Sequence, residues 1–454
     1  MVLAGVLPLL IAALPALADH DTRPHTDNLV ARGHSSHPAD FGVPAAERRV
    51  NSDLAFWGKT AFNGNYNGFR VIDISSAAHP KVLSHPDCNG DQGDIVVWED
   101  VLVRSWNSPA PADDPATPED ETRTCGGEPV PAGFEGLHVW DISDLKDPQL
   151  VGSLELSARP EADAFGCGSH TATGVPDLAN NRLLIYNQTS GGPCPFVGVV
   201  EVPLDDPGAI AHIRDEPLTG MAGAVHDSGV ILGDANLLAA ASGDEANVYS
   251  IGAPGGGSLE DPELLYTIVE PGVGAGGNWH SAAFTWDGEV LILGWEPGGG
   301  GAAECEAGDD DVKKSWFFYD ANTGAKLGQF VLPRDQGADE NCTIHNYNVV
   351  PTTNGSYVLV GGNYQAGTWV LDFTDPANAE VVAWSDPPSL GPGPFCGGTC
   401  QLGGAWSSYY YNQGFIYESD ITEGLNIFRL RDRIIDNSVR LDHLNPQTQE
   451  FTLP

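Results

Sequence analysis

The chain is expected to fold as an all-β protein, a seven-bladed β-propeller of four-stranded antiparallel blades with long loop insertions. Three features of its 454 residues lead there. Glycine (55) and proline (34) make up about one residue in five, which favours many turns over long helices. Apolar residues form 41% of the chain, enough to bury a sizeable core in spite of a net charge of −41. One strand pattern also recurs seven times, at intervals of 49 to 70 residues.

Each copy of that pattern has a small residue, an alternating apolar strand and then an acid, often followed by Ser/Thr-Asp-Pro. In chain order the copies are GFRVIDIS around Asp73, GLHVWDIS around Asp141, VGVVEVPLDDP around Glu201, ANVYSI around Ser250, WFFYDA around Asp320, TWVLDFTDP around Asp372 and GLNIFRL around Arg429. The copies at Ser250 and Arg429 lack the acid. A second short strand pattern precedes each, such as VLVRSW, RLLIYN or EVLILGW, and most are followed by another, such as KLGQFVLP. Short strands separated by turn signals at this spacing are the mark of propeller blades. The ring is expected to close with the help of residues near 45–60, where the chain ends meet.

The strands FRVIDIS, LHVWDIS and WVLDFTDP, each with a nearby DP or HP turn, resemble those of the LVIVD-repeat proteins, secreted or surface propellers of bacteria and archaea. The resemblance covers roughly residues 50–435. It implies the architecture and carries no uniform activity, because fold does not fix function.

Met1–Ala18 is an apolar run ending in Ala16-Leu17-Ala18 before Asp19, a small-x-small cleavage pattern without a basic n-region. The division expected is therefore a signal peptide at 1–18, a flexible segment at 19–45 and one propeller at 46–454, secreted or held at the cell surface. No other stretch is apolar enough to insert in a membrane. Eight cysteines suit that compartment. They allow about 105 connectivities. Loop economy favours Cys88 with Cys125, Cys167 with Cys194, Cys305 with Cys342 and Cys396 with Cys400, while a thiolate metal site at Cys396 and Cys400 is the competing reading.

The innermost strands line a propeller's axis. Aligned there, GSHTAT, AVHDSG, NWHSAA and TIHNYN place His170, His226, His280 and His345 at one position, where the other blades carry Ser52, Gly93 and Trp406. Four neighbouring blades of seven span about 154° of the axis, leaving an open sector. Imidazoles beside an open position suit a catalytic divalent transition metal, Zn, Cu or Fe. The mouth is expected to add Tyr364, Asp244, Glu245, Asp420 and Trp406 around a ligand, with Glu296 as acid/base. Two other readings stay open: histidines that bond their own or the next blade's backbone, and a metal-free polar pocket. The other nine histidines follow no register and are assigned to loops or surface.

Asp309–Asp311, Asp113-Asp114 and Glu119–Glu121 could hold Ca²⁺ but lack the spacing of an EF-hand loop, so solvated charge is favoured. Gly255–Gly257 and Gly298–Gly301 lack a following Lys-Ser/Thr, so no nucleotide cofactor is expected. With 62 acids against 21 bases, the chain lacks the basic footprint of a nucleic-acid or membrane-surface binder.

Two functions follow. The first is a metal-binding propeller, a monomer, acting on a small molecule as an oxidoreductase or hydrolase. The second is a non-catalytic module that binds an extracellular polymer or protein through its loops, with structural histidines. Self-repulsion among the acids is strongest at low ionic strength. The melting temperature is therefore expected to rise from low to molar salt, and an unchanged value would overturn this reading of the charge.

Overall fold

The recurring strand is the third strand of each blade, apolar on both faces because it lies between neighbouring blades. Its terminal acid shapes the exit turn. Asp73 Oδ1 accepts from Ser75 N (2.8 Å), Asp141 Oδ1 from Ser143 N (2.8 Å) and Asp372 Oδ1 from Thr374 N (2.9 Å), Asx turns that lead into the fourth strand. The computed structural model describes residues 24–454 except 43–46, 91, 114–121, 158–166, 190–193, 195, 218–223, 274–276, 301, 304 and 394–397. The proposed signal segment and Cys396 lie outside the described residues, as do Asp114, Glu119, Asp120 and Glu121.

Seven small antiparallel sheets form a ring, a seven-bladed β-propeller. Blade 1 runs Asn51–Trp57, Thr60–Asn65, Gly68–Asp73 and Lys81–Ser84. The innermost strands of blades 2 to 7 are Ile95–Trp98, Thr171–Asp177, Val225–Ile231, Gly277–Phe284, Tyr347–Val349 and Ala405–Tyr410. Apolar side chains fill the seams between blades, as where Val96, Val103 and Val139 of blade 2 meet Ala172, Leu183 and Ile185 of blade 3.

Closure differs from the expectation. Asn51–Trp57 is simply the inner strand of blade 1. The ring is locked instead by Leu29–Ser36, which lies within the segment expected to be flexible and pairs antiparallel with Gly424–Leu430 as the outer strand of blade 7. Its alternating burial, every second side chain inward, is what a one-sided edge strand requires. Blade 7 thus combines both ends of the chain, and closure needs no special sequence beyond that alternation.

The C-terminal segment then crosses the axis. His443–Leu444 pairs with Trp57 and Phe56 of blade 1, and Thr448–Gln449 runs parallel to Val230 and Ile231 of blade 4. Asn445 bonds both backbone atoms of Val97 (2.8 Å each), Thr448 Oγ1 donates to Gly174 O (2.7 Å), and Gln449 Nε2 donates to Phe284 O (2.9 Å). These contacts fall at the far ends of the inner strands, so the channel is plugged opposite the histidines.

Three disulfides join Cys88 to Cys125, Cys167 to Cys194 and Cys305 to Cys342, as loop economy suggests. No helix among the described residues is long and apolar enough to cross a membrane. Two histidines assigned to loops or surface are buried instead. His37 bonds Asn51, and His138 packs on Trp106 and Phe134.

Removing the side chain of Asn445 leaves the N–H and C=O of Val97 buried and unpaired, a cost of about 1–3 kcal/mol. Asn445→Ala is expected to lower the urea midpoint accordingly. A midpoint equal to that of the unaltered protein would show that the plug does not brace the ring.

Candidate functional site

The site begins with a backbone irregularity. In blade 4 the pairing passes from Val225 with Ser242 to Asp227 with Ala241, leaving His226 extra. In blade 5 His280 is the extra residue, in blade 7 Trp406, and in blade 1 Ser52 and Asp53 share one partner position. Such β-bulges turn two successive side chains toward the same side. Two rings of side chains therefore face the axis. The first holds Ser52, Gly93, His170, His226, His280, His345 and Trp406. The second, one residue later, holds Asp53, Asp94, Thr171, Asp227, Ser281, Asn346 and Ser407.

The carbonyls of the first ring accept from the preceding blade. Ser52 Oγ donates to Gly93 O (3.1 Å), Ser105 Oγ to His170 O (3.0 Å), Thr171 Oγ1 to His226 O (2.5 Å) and Ser281 Oγ to His345 O (2.9 Å). His345 Nδ1 donates to Trp406 O. Blade 2 has glycine in the column because Arg104 fills the space: a Cβ on Gly93 would lie 2.5 Å from Arg104 Nε.

The four imidazoles stand in a row, with ring centroids 4.4, 4.0 and 4.0 Å apart from His170 through His226 and His280 to His345. All are buried. They line a cavity of about 170 Å³ together with Ser52, Gln92, Asp94, Thr171, Glu296, Asn346, Tyr364 and Trp406. Glu296 comes from the second strand of blade 5, where Oε2 lies 3.6 Å from His226 Nε2 and 4.0 Å from His280 Nε2, and Oε1 lies 3.9 Å from His345 Nε2. The ligand atoms of His226, His280 and Glu296 all lie within 4.8 Å of one another, a grouping that can hold a metal ion.

Protonation favours the same use. Burial pushes the imidazolium pKa of His170 and His345 down to about 3, and burial followed by neighbouring imidazoles holds His226 and His280 well below the usual range. Neutral imidazole is the metal-binding form. His170 Nδ1 donates to Asn107 Oδ1 (2.9 Å) and His345 Nδ1 to a carbonyl, so both rings turn an Nε2 lone pair toward the cavity. His170 Nε2 and His226 Nε2 are only 3.1 Å apart and need a shared proton or a shared cation between them. Two nitrogens bound to one ion at the usual bond length would be about 3.0–3.4 Å apart.

Glu296 is fully buried, and burial raises its pKa to about 7 in spite of a hydrogen bond from Tyr364 OH (3.0 Å). Tyr364 itself has a left-handed backbone (φ +44°), an uncommon state for a bulky residue. Its N and O both pair with Ala405 at 2.8 Å, and Gly404 (φ +78°) lets the chains approach, since a Cβ there would lie 2.2 Å from Tyr364 O.

The structure brings together His170, His226, His280, His345, Glu296, Tyr364 and Trp406. Asp244 and Glu245 do not join them. They sit at the tip of the hairpin after Ser242, with Asp244 exposed, because the tight turn carries them past the rim. Asp420 is also apart: its Oδ1 is taken up by Thr422 and Glu423 in a hairpin turn. The open sector is filled by Gln92 and Asp94 beside Ser52 rather than by Gly93.

Sequence reasoning missed the second ring, in which burial raises the pKa of Asp53 and holds Asp94 and Asp227 well above the carboxylate range. A signal was present, since the residue after every column position is polar. A second group, Cys88, Cys125 and His138, also has ligand atoms within 4.8 Å. Its two sulfurs are bound to each other, which leaves one imidazole as the free donor. The Asp309–Asp311 run leads into a short helical turn in which Lys313 faces Asp309 (3.4 Å).

No family model matches the chain, and no curated protein sequence matches it. Among solved structures, a chain of the mitotic checkpoint complex is 10% identical, with 95% of this chain and all of that chain covered at a TM-score of 0.48. The computationally designed Ika8 protein is 12% identical, with 88% of this chain and 99% of that chain covered at a TM-score of 0.43.

In the chelator-treated protein, ionising Glu296 is harder in the fold than in the unfolded chain, so its contribution to stability falls as pH rises from about 4.5 through 7. Glu296→Gln removes that penalty. Its urea stability relative to the unaltered protein is expected to improve by about 3 kcal/mol between pH 4.5 and pH 8. A difference independent of pH would show that the carboxyl is not desolvated.

Proposed function

We propose that the protein is a metal-binding propeller whose plugged axial cup holds a divalent transition metal, Zn, Cu or Fe, and receives a small molecule beside it. The observation that carries this reading is the buried grouping of His226, His280 and Glu296 on an enclosed cavity. Two imidazoles and one carboxylate with open positions suit both zinc hydrolases and non-haem iron oxygenases. Metal-dependent hydrolysis or oxidation is therefore the reaction class.

A bound metal would supply Lewis acidity or an acidified water. The protein's own residues do the rest. His226 and His280 offer neutral nitrogens. Glu296 is oriented by Tyr364; in the metal-free cup its carboxyl titrates near 7 and can take or give a proton at neutral pH, whereas as a metal ligand it would serve as the ionised carboxylate. His170 and His345 flank the pair, each fixed through Nδ1. Trp406 and Tyr364 form an aromatic wall, and Ser52, Gln92 and Asp94 of blades 1 and 2 offer polar contacts.

Several features support an LVIVD-type secreted or surface protein: the third-strand repeat, the three disulfides and the apolar run at residues 1–18. The hydrogen bonds of His170 and His345 also favour a structural share for the two outer histidines, which is what the non-catalytic reading asks of all four.

Metal analysis of the purified protein is expected to find close to one transition-metal ion per chain. The double variant His226→Ala/His280→Ala is expected to lose it while circular dichroism and the melting transition persist. Metal-free protein that also fails to take up Zn, Cu or Fe in dialysis would leave only the binding module.

A further inference from the structure

A second cavity, of about 310 Å³, opens beside the cup. That volume lies at the lower end of the range for small-molecule pockets. Three aromatic rings, Phe41, Tyr66 and Trp106, wall it, and two arginines, Arg48 and Arg123, reach into it. None of the described lining residues is acidic, in a chain with 62 acids and 21 bases. Two guanidinium groups facing one cavity therefore form a local field opposite to that of the whole molecule.

Their environments differ. Arg49 has a carboxylate near it, Asp40, at 3.6 Å. Arg48, the residue before it, has no ion pair among the described residues, and its Nε is buried without a hydrogen-bond partner. Arg123 gives one N–H to Asn89 O (3.4 Å). The indole N–H of Trp106 is already taken up by Ser108 O (2.8 Å), so the ring contributes apolar surface. A buried guanidinium nitrogen lacking a partner, next to aromatic walls, matches a planar anion carrying a ring: the carboxylate pairs with the fork of the guanidinium while the ring packs on the aromatics.

The two cavities also share a wall. Phe41 and Tyr66 belong to the same apolar cluster as Tyr364 and Trp406 of the cup, and Gly90 lines one cavity while Gln92 lines the other. We propose that this arginine-bearing aromatic pocket binds a small aromatic carboxylate. This binding goes beyond the function proposed above and does not need a metal.

Calorimetric titration of the full chain with benzoate, and with benzamide as its uncharged counterpart, tests the proposal. Benzoate is expected to bind saturably, at least about tenfold more tightly than benzamide, with affinity falling as salt is added. Arg48→Gln should weaken benzoate about tenfold or more and leave the melting temperature unchanged, and Arg48→Lys should restore part of the loss. The double variant His226→Ala/His280→Ala should bind benzoate as the unaltered protein does. Equal binding of both compounds, no saturable binding, or indifference to Arg48→Gln overturns the pocket. Loss of benzoate binding in the histidine variant, with Arg48→Gln normal, would place the anion in the cup, overturning this proposal while leaving the metal reading intact.

Discussion

One extra residue in the inner strands governs the rest of the molecule. A bulge removes a residue from the ladder of its own blade and leaves its carbonyl seeking a donor. At the bulged residues His226 and Trp406 the donor comes from the blade before, from Thr171 and His345, and Ser52, Ser105 and Ser281 reach across their seams to the column carbonyls of Gly93, His170 and His345 in the same way. The same irregularity that would weaken an isolated sheet thus stitches neighbouring blades together at the axis. It also frees two successive side chains to point inward, which is how imidazoles and carboxyls come to occupy adjacent rings.

The chemistry of the cup follows from the burial of its side chains. With the C-terminal segment across one end and the blades around the sides, buried titratable groups cannot keep their charge cheaply. The histidines stay neutral, Glu296 is drawn toward neutral pH, and the aspartates of the lower ring hold protons more tightly than free carboxyls. Arg104, fully buried in blade 2, bonds the backbone oxygens of Asn65, Gly68 and Ser105 rather than entering the cup. No Lys or Arg among the described residues lines the cavity, and its field is set by imidazoles and carboxyls. Such a site favours cations and polar neutral groups. The arginine pocket next to it favours the opposite charge, so the mouth face presents two chemically distinct compartments separated by an aromatic partition.

Strain at this face is local and braced. Tyr364 adopts its left-handed backbone because two hydrogen bonds to Ala405 and the space left by Gly404 hold it there. The result is a phenol fixed against Glu296 and a ring fixed against His345, whose centroids are 4.4 Å apart. Positions that depart from ordinary backbone geometry concentrate where side chains must be aimed.

Much of this was legible in the sequence, and the reasons are physical. The seven third strands repeat because each is buried on both faces, and four of them end in an acid, Asp73, Asp141, Asp320 or Asp372, that caps a turn. The histidine column and Trp406 could be read because repeats share register, and Glu296 and Tyr364 because antiparallel strands end at the same mouth. Other features depend on contacts between residues far apart in the chain. Leu29–Ser36 alternates like any edge strand, and only the vacant edge of blade 7 gives it a place. Asp244, Glu245 and Asp420 stand at the expected heights, but the turns they occupy take them out of the cavity. Strict alternation would point only every second inner-strand residue at the axis, and it hides Asp53, Asp94 and Asp227. Sequence alone determined the blades and which residue types stand at their inner edge. Tertiary structure decided which of them meet, because a bulge and a seam hydrogen bond exist only once neighbouring blades are packed.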